Sequence, residues 1–325
     1  MHREQACSTS CYDRRPMKMK LAVEFPSVVY REGPEAVARL ATAMDEIGFD
    51  QLDIFDHVVM GHDTDGREKN RYPAKMPIME AFATLGYMAA CTSRIGLGTE
   101  VLVLPQRDPV LTAKQAATLD TLSGGRLRLG LGVGWQESEY EALGQNFRNR
   151  GRRMDEAIEV LRACWSRDPI DFEGEFYRVE AMAMEPKPPR GAALPIWIGG
   201  HSEAALRRAG RLADGWMGVA SPELFEDGDQ AIAAVRRHAE EAGRDPSALG
   251  FQAQVSPPPR PGNESDRTFY TEPDRVAAAA AKLGEMGFDG VALNLTGLFL
   301  AGARTVDAMV DGAASLHEKL RAELG

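Results

Sequence analysis

The chain has 325 residues, 44% of them hydrophobic and 26% charged, with a formal net charge of −10. That length and balance suit one large domain or two of ordinary size, while the acidic excess argues against a nucleic-acid partner, whose phosphates call for a basic surface. No apolar run is long enough to cross a membrane and the start lacks a charged-then-apolar secretory pattern, so neither a membrane partner nor export is expected and a cytoplasmic location is the default.

Residues 1–18 read as a disordered polar leader and 19–325 as a single domain. Cys7 and Cys11 lie in the leader, and Cys91 and Cys164 fall far apart in helical segments. They form neither a metal-ligand spacing nor a disulfide framework, which fits a reducing compartment. LAVEF (21–25) reads as a strand, and EAVARLATAMDEIG (35–48) as a helix because its apolar residues recur at three- and four-residue steps. The alternation continues with FDQLDIF (49–55), the helix near MEAFATLGYMAA (79–90), RIGLGTEVLV (94–103), DPVLTAKQAATLDTLS (108–123), RLRLGLGVG (126–134) and DEAIEVLRACW (155–165). Between 167 and 194 it breaks into a hairpin and a proline-rich connector, read as an insertion after the fourth strand-helix unit. It resumes with PIWIGG (195–200), EAALRRAGRLA (203–213), DGWMGV (214–219), a helix at 229–243, FQAQV (251–255), a helix at 274–287, GVALNL (290–295) and a closing helix to 324.

Nearly all-apolar strands alternating with helices imply parallel pairing, and eight such units predict an α/β fold, a closed (β/α)8 TIM barrel. A doubly wound open sheet would want a glycine-rich turn after its first strand if it bound a nucleotide, and EFPSVVYREGPE (24–35) has none. In a barrel the chemistry gathers where strands end. Candidates are then Glu24, the pair Asp56 and His57, Thr99 to Val101, Gly132 to Trp135, and Gly199 to Ser202.

Each candidate has two readings. GGHSEAALRRAG (199–210) offers backbone amides and a helix dipole to a phosphate, or is a glycine turn with Ser202 as an ordinary N-cap. The alternate glycines of GLGVGW (130–135) let a flat ligand approach the backbone, or let barrel strands pack closely. Asp56 and His57 are an acid/base histidine with a neighbouring carboxylate to orient it, or polar packing in a loop. His62, Asp63 and Asp65 share one loop, but without a second histidine cluster no metal is assigned. His201 is a phosphate contact or a solvated loop residue. The polar loop from Gly61 to Lys75 reads as a rim or lid. No nucleophile elbow, Walker loop or Cys-His pairing occurs, which removes the simple hydrolase and kinase readings.

Taken together, IFDHVV (54–59), RIGLGTEVLVLPQRDPVLTAKQAATLDTLSGGRLRLGLGVGW (94–135) and PIWIGGHSEAALRRAGRLADGW (195–216) resemble the bacterial-luciferase-like superfamily of flavin and deazaflavin oxidoreductases. The resemblance runs from about residue 19 to the end and implies a (β/α)8 barrel with an insertion. The Asp-His pair is similar to that of the branch using coenzyme F420. This implies that His57 is the acid/base beside the deazaflavin and that Asp56 contacts or orients the ring. The resemblance also implies a non-proline cis peptide at Glu100–Val101, in a bulge supporting the ring with Thr99, Gly134 and Trp135, and a phosphate cradle at Gly199, Gly200, His201 and Ser202. F420-dependent sugar-phosphate and alcohol dehydrogenases often carry a proton-donating glutamate near the first strand or after the fourth. Here Glu24 stands at slightly different spacing and Trp135 occupies the second position, as an apolar wall with Glu139 one turn on.

The leading expectation is therefore an F420-dependent oxidoreductase moving hydride between the deazaflavin C5 and a small or medium organic molecule, in a homodimer as relatives commonly are. The alternatives are an FMN-dependent monooxygenase partnered by a flavin reductase and a noncatalytic flavin-binding barrel.

Overall fold

A computed structural model of the chain describes residues 18–64, 69, 71–219, 222–255 and 266–325. The expected leader up to residue 17, with Cys7 and Cys11, lies outside the described residues, as does Asp65 in the loop after the second strand.

In chain order the elements are β1 (Lys20–Glu24), α1 (Pro34–Ile47), β2 (Gln51–Ile54), α2 (Ala81–Cys91), β3 (Gly96–Thr99), β4 (Leu102–Val103), α3 (Pro109–Leu122), β5 (Leu127–Gly132), α4 (Glu137–Ala142) and α5 (Arg150–Ser166). There follow β6 (Ile170–Glu173), β7 (Arg178–Met182), β8 (Ile196–Gly199), α6 (Glu203–Leu212), β9 (Gly215–Gly218), α7 (Pro222–Glu241), β10 (Gly250–Val255), α8 (Pro273–Met286), β11 (Gly290–Asn294), α9 (Thr296–Ala301) and α10 (Val306–Leu324). The short helices α4 and α9 were not anticipated; each has only six residues, too few to show a helical period.

The main sheet runs β3-β2-β1-β11-β10-β9-β8-β5, and β3 also pairs with β5, so it closes on itself. Every pairing in it is parallel. The run expected as one strand at 94–103 is broken at Glu100 and Val101 into β3 and β4, which together form one stave of an eight-stranded barrel. β6 and β7 form a separate antiparallel hairpin between α5 and β8, within the stretch read as an insertion.

The strands read as apolar because they are covered on both sides: Leu21, Val23, Leu52, Ile54, Leu97, Leu129 and Leu131 are fully buried. Helix ends are set locally. Asp108 and Ser202 accept from the amides of Leu111 and Ala205 to start α3 and α6, and Gly48 ends α1 in the left-handed region at φ 98°. The lumen, by contrast, holds a polar layer. Arg128 on β5 donates to Gln252 on β10 at 3.0 Å, although those strands are not neighbours, so the bond crosses the barrel interior. Arg128 also pairs with Asp53 on β2, and Gln252 donates to Glu100 at 2.9 Å. Buried polar groups persist when they satisfy one another in this way.

Candidate active site

The Glu100–Val101 peptide is cis, as the resemblance implied. The Val101 side chain passes between two glycines: a Cβ on Gly132 would lie 2.5 Å from its Cγ2, and one on Gly199 would lie 2.7 Å from its Cγ1. Of the two readings of the alternate glycines, close strand packing is therefore the one their surroundings show, since Gly134 likewise faces Val103 at 2.7 Å. Thr99 at the end of β3 is fully buried and donates to the Gly130 carbonyl at 2.7 Å, tying the bulge to β5.

At the end of β2, Asp56 and His57 are both buried, but they do not serve each other. Asp56 accepts from Arg107 at 2.8 Å and from the Val103 amide at 3.1 Å, and Arg107 continues to Glu80 at 3.1 Å. Asp56 thus binds the far side of the bulge and the start of α2. Burial lifts its carboxyl above the ordinary range, more than Arg107 offsets. His57 instead turns its Nδ1 to Glu139 Oε2 at 2.9 Å. The expectation that the adjacent carboxylate orients the histidine is corrected here, because Asp56 is already committed to Arg107 and the Val103 amide.

Glu139, on α4, is 1% exposed. It accepts hydrogen bonds from the Val58 and Val59 amides at 2.6 and 3.2 Å and from Gln106 Nε2 at 3.1 Å, and the contact with His57 Nδ1 is its fourth. Burial opposes its charge, but the bonds from His57, Gln106 and Val59 outweigh that and hold it below the ordinary carboxylate range. The aromatic edge of the site is Trp135, whose ring centroid lies 5.5 Å from His57, with Tyr72 at 6.0 Å from His57 and 6.2 Å from Trp135. Exposed Val58 and Val59 extend this apolar rim. Tyr72, Arg107 and Gln106 escaped the sequence reading; a lone tyrosine in a polar loop and an arginine before a helix carry no distinguishing pattern.

At the end of β8, Gly200 has φ 118° and its carbonyl accepts from Trp216 at 2.7 Å, while Ser202 caps α6. The α6 N-terminus is thus preformed. His201 Nε2 lies 2.6 Å from the Val219 carbonyl, so that nitrogen is engaged by the backbone. His62 and Asp63 belong to no metal group: among the described residues no three His, Cys, Asp or Glu side chains converge as ligands.

Glu24, at the end of β1, accepts from Gln254 at 2.6 Å. Burial pushes its carboxyl from 4.5 up to about 8; Gln254 opposes the rise and the Asp53 charge adds to it. A folded state that keeps this proton where the unfolded chain has lost it becomes less stable as pH rises through that window. Glu24→Gln is therefore expected to flatten the loss of stability between about pH 5 and about pH 8, by roughly 2 kcal/mol or more, as read from urea unfolding at both ends. Parallel slopes in the two proteins would show Glu24 ionised at neutral pH.

Comparison with known proteins identifies the family and the fold. The sequence model of the family described as luciferase-like monooxygenase matches residues 19–265. An uncharacterised protein of Mycobacterium tuberculosis is 39% identical over 212 residues, 63% of this chain and 72% of the relative. The F420-dependent glucose-6-phosphate dehydrogenase of Nakamurella multipartita is 34% identical over 218 residues, 65% of this chain and 60% of that enzyme. The crystal structure of monooxygenase RslO1 from Streptomyces bottropensis shares the fold with a TM-score of 0.74 at 22% identity, covering 94% of this chain and 98% of that one.

Proposed function

We propose that this chain, which belongs to the luciferase-like monooxygenase family, is an F420-dependent oxidoreductase. It moves hydride between a bound deazaflavin and a small or medium organic substrate, with His57 handling the accompanying proton. The observation that carries this reading is a buried histidine just beyond β2, held at 2.9 Å by the buried carboxylate of Glu139 and edged by Trp135.

The residues present fit such a cofactor. Side-chain-free Gly199 and Gly200 and the Ser202-capped start of α6 offer backbone amides to a phosphate without a lysine. His201, braced on Val219, stands beside them. Thr99, Glu100 and Val101 would support the ring from the bulge, with Gly134 and Trp135 at its edge; Asp56 holds the bulge through the Val103 amide. When bound, the deazaflavin supplies hydride at C5 and does not readily activate oxygen. His57 takes up or gives back the proton, and Tyr72, Trp135, Val58 and Val59 present an apolar wall that excludes water and favours a substrate with an apolar body.

The family description and the likeness in fold to a monooxygenase favour a second reading, FMN with oxygen and a separate flavin reductase. Titration of the purified protein separately with F420 and with FMN distinguishes the two. Tight F420 binding with weak FMN binding is the expected result, and submicromolar FMN affinity with no detectable F420 binding overturns the F420 reading.

A further inference from the structure

Resting on the reading of His57 as the acid/base, we propose that Glu139 is its positioning residue. Glu139 fixes the tautomer with hydrogen on Nδ1, so that Nε2 is the nitrogen that takes up and releases the proton. The two residues lie 82 positions apart in the chain and meet at 2.9 Å with both side chains almost completely buried.

The donors around Glu139 decide the tautomer. An ionised carboxylate accepts and cannot donate, and Glu139 already takes two backbone amides and the Gln106 amide group. A proton placed on Glu139 would remove acceptor capacity those donors use, leaving buried N–H groups short of partners. The nitrogen facing it must then be the protonated one, and the hydrogen bond made by one ring nitrogen decides the state of the other. Nε2 lies on the opposite edge of the ring and has no hydrogen-bond partner among the described residues.

Two of the four bonds come from the backbone of Val58 and Val59, directly after the histidine. Gln136, three residues before Glu139, donates to the Val59 carbonyl at 3.1 Å. One short helix thus sets both the orientation of the ring and the path of the loop that carries it. Among the described residues no other carboxylate is placed to do this, because Asp56 is taken by Arg107 and Val103.

The test has two arms. In protein labelled with 15N-histidine, with His57 assigned by its loss in a His57 variant, long-range 1H–15N spectra should show the neutral ring carrying its hydrogen on Nδ1 and none on Nε2. A neutral His57 carrying its hydrogen on Nε2 overturns the proposal, whatever the enzyme's cofactor. In steady-state kinetics, Glu139→Gln should lower kcat about 10- to 100-fold, by analogy with carboxylates that orient metal-binding histidines. Substrate KM and cofactor affinity should stay within about threefold, and Glu139→Asp should recover part of kcat. An unchanged kcat in folded Glu139→Gln overturns the proposal. If that variant does not fold, the tautomer of the unmodified protein still decides. Failure of the acid/base reading is separately visible as unchanged turnover in His57→Ala.

Discussion

His57→Ala is expected to lower turnover by about 10²- to 10⁴-fold, the usual contribution of a positioned acid or base. Cofactor affinity should stay within about tenfold, roughly 1.4 kcal/mol. The split follows from where the residue stands. Its ring is clamped on one edge by Glu139 and walled by Trp135, so it contributes a proton site and little binding area. Glu139 keeps its bonds from Val58, Val59 and Gln106 after the truncation, so the buried charge is not orphaned and the fold should survive. Steady-state kinetics beside a cofactor titration and a melting curve provides the check. Turnover within twofold of the unmodified enzyme would remove His57 from catalysis.

Arg107→Ala should act on stability, by about 3 kcal/mol, because it strands one member of a buried ion pair. Asp56 has a side chain 1% exposed, whereas Glu80, the other partner of Arg107, is 44% exposed and water can replace the arginine there. The sign with pH follows from the direction of the Asp56 shift. Burial already raises that carboxyl, and removing the arginine removes the main influence holding it down. The folded variant would retain a proton that the unfolded chain releases, so the deficit should grow as pH rises above the ordinary carboxylate range and shrink in acid. Urea unfolding at about pH 5 and about pH 8 measures both the size and the trend. An Arg107→Ala protein of normal stability at both values, but with cofactor affinity lost, would show that Asp56 and Arg107 act on the ligand and not on the bulge. Adding Asp56→Asn should recover part of the stability, since no stranded charge then remains.

Much of the architecture is legible in the sequence. The three- and four-residue apolar steps in 35–48 became α1, and the apolar runs at 21–25, 126–134 and 290–295 became β1, β5 and β11. Glycines were less transparent. GLGVGW was compatible with a ligand or with packing, and only the position of Val101 between Gly132 and Gly199 shows what occupies the space beside them. Glu100 was legible as part of the bulge, but its bond to Gln252 spans 152 residues and no local pattern announces it.

By itself the sequence determined the barrel and the ends of its strands, because periodicity and burial are properties of neighbours along the chain. Through IFDHVV it also determined that a histidine and a carboxylate leave β2 together. Which carboxylate serves that histidine was decided only by the tertiary structure. Both partners lie far along the chain, 51 residues for Asp56 and 82 for His57, where no local pattern can announce them: Arg107 takes Asp56, while closure of the barrel brought Glu139 of α4 against the Nδ1 edge of His57.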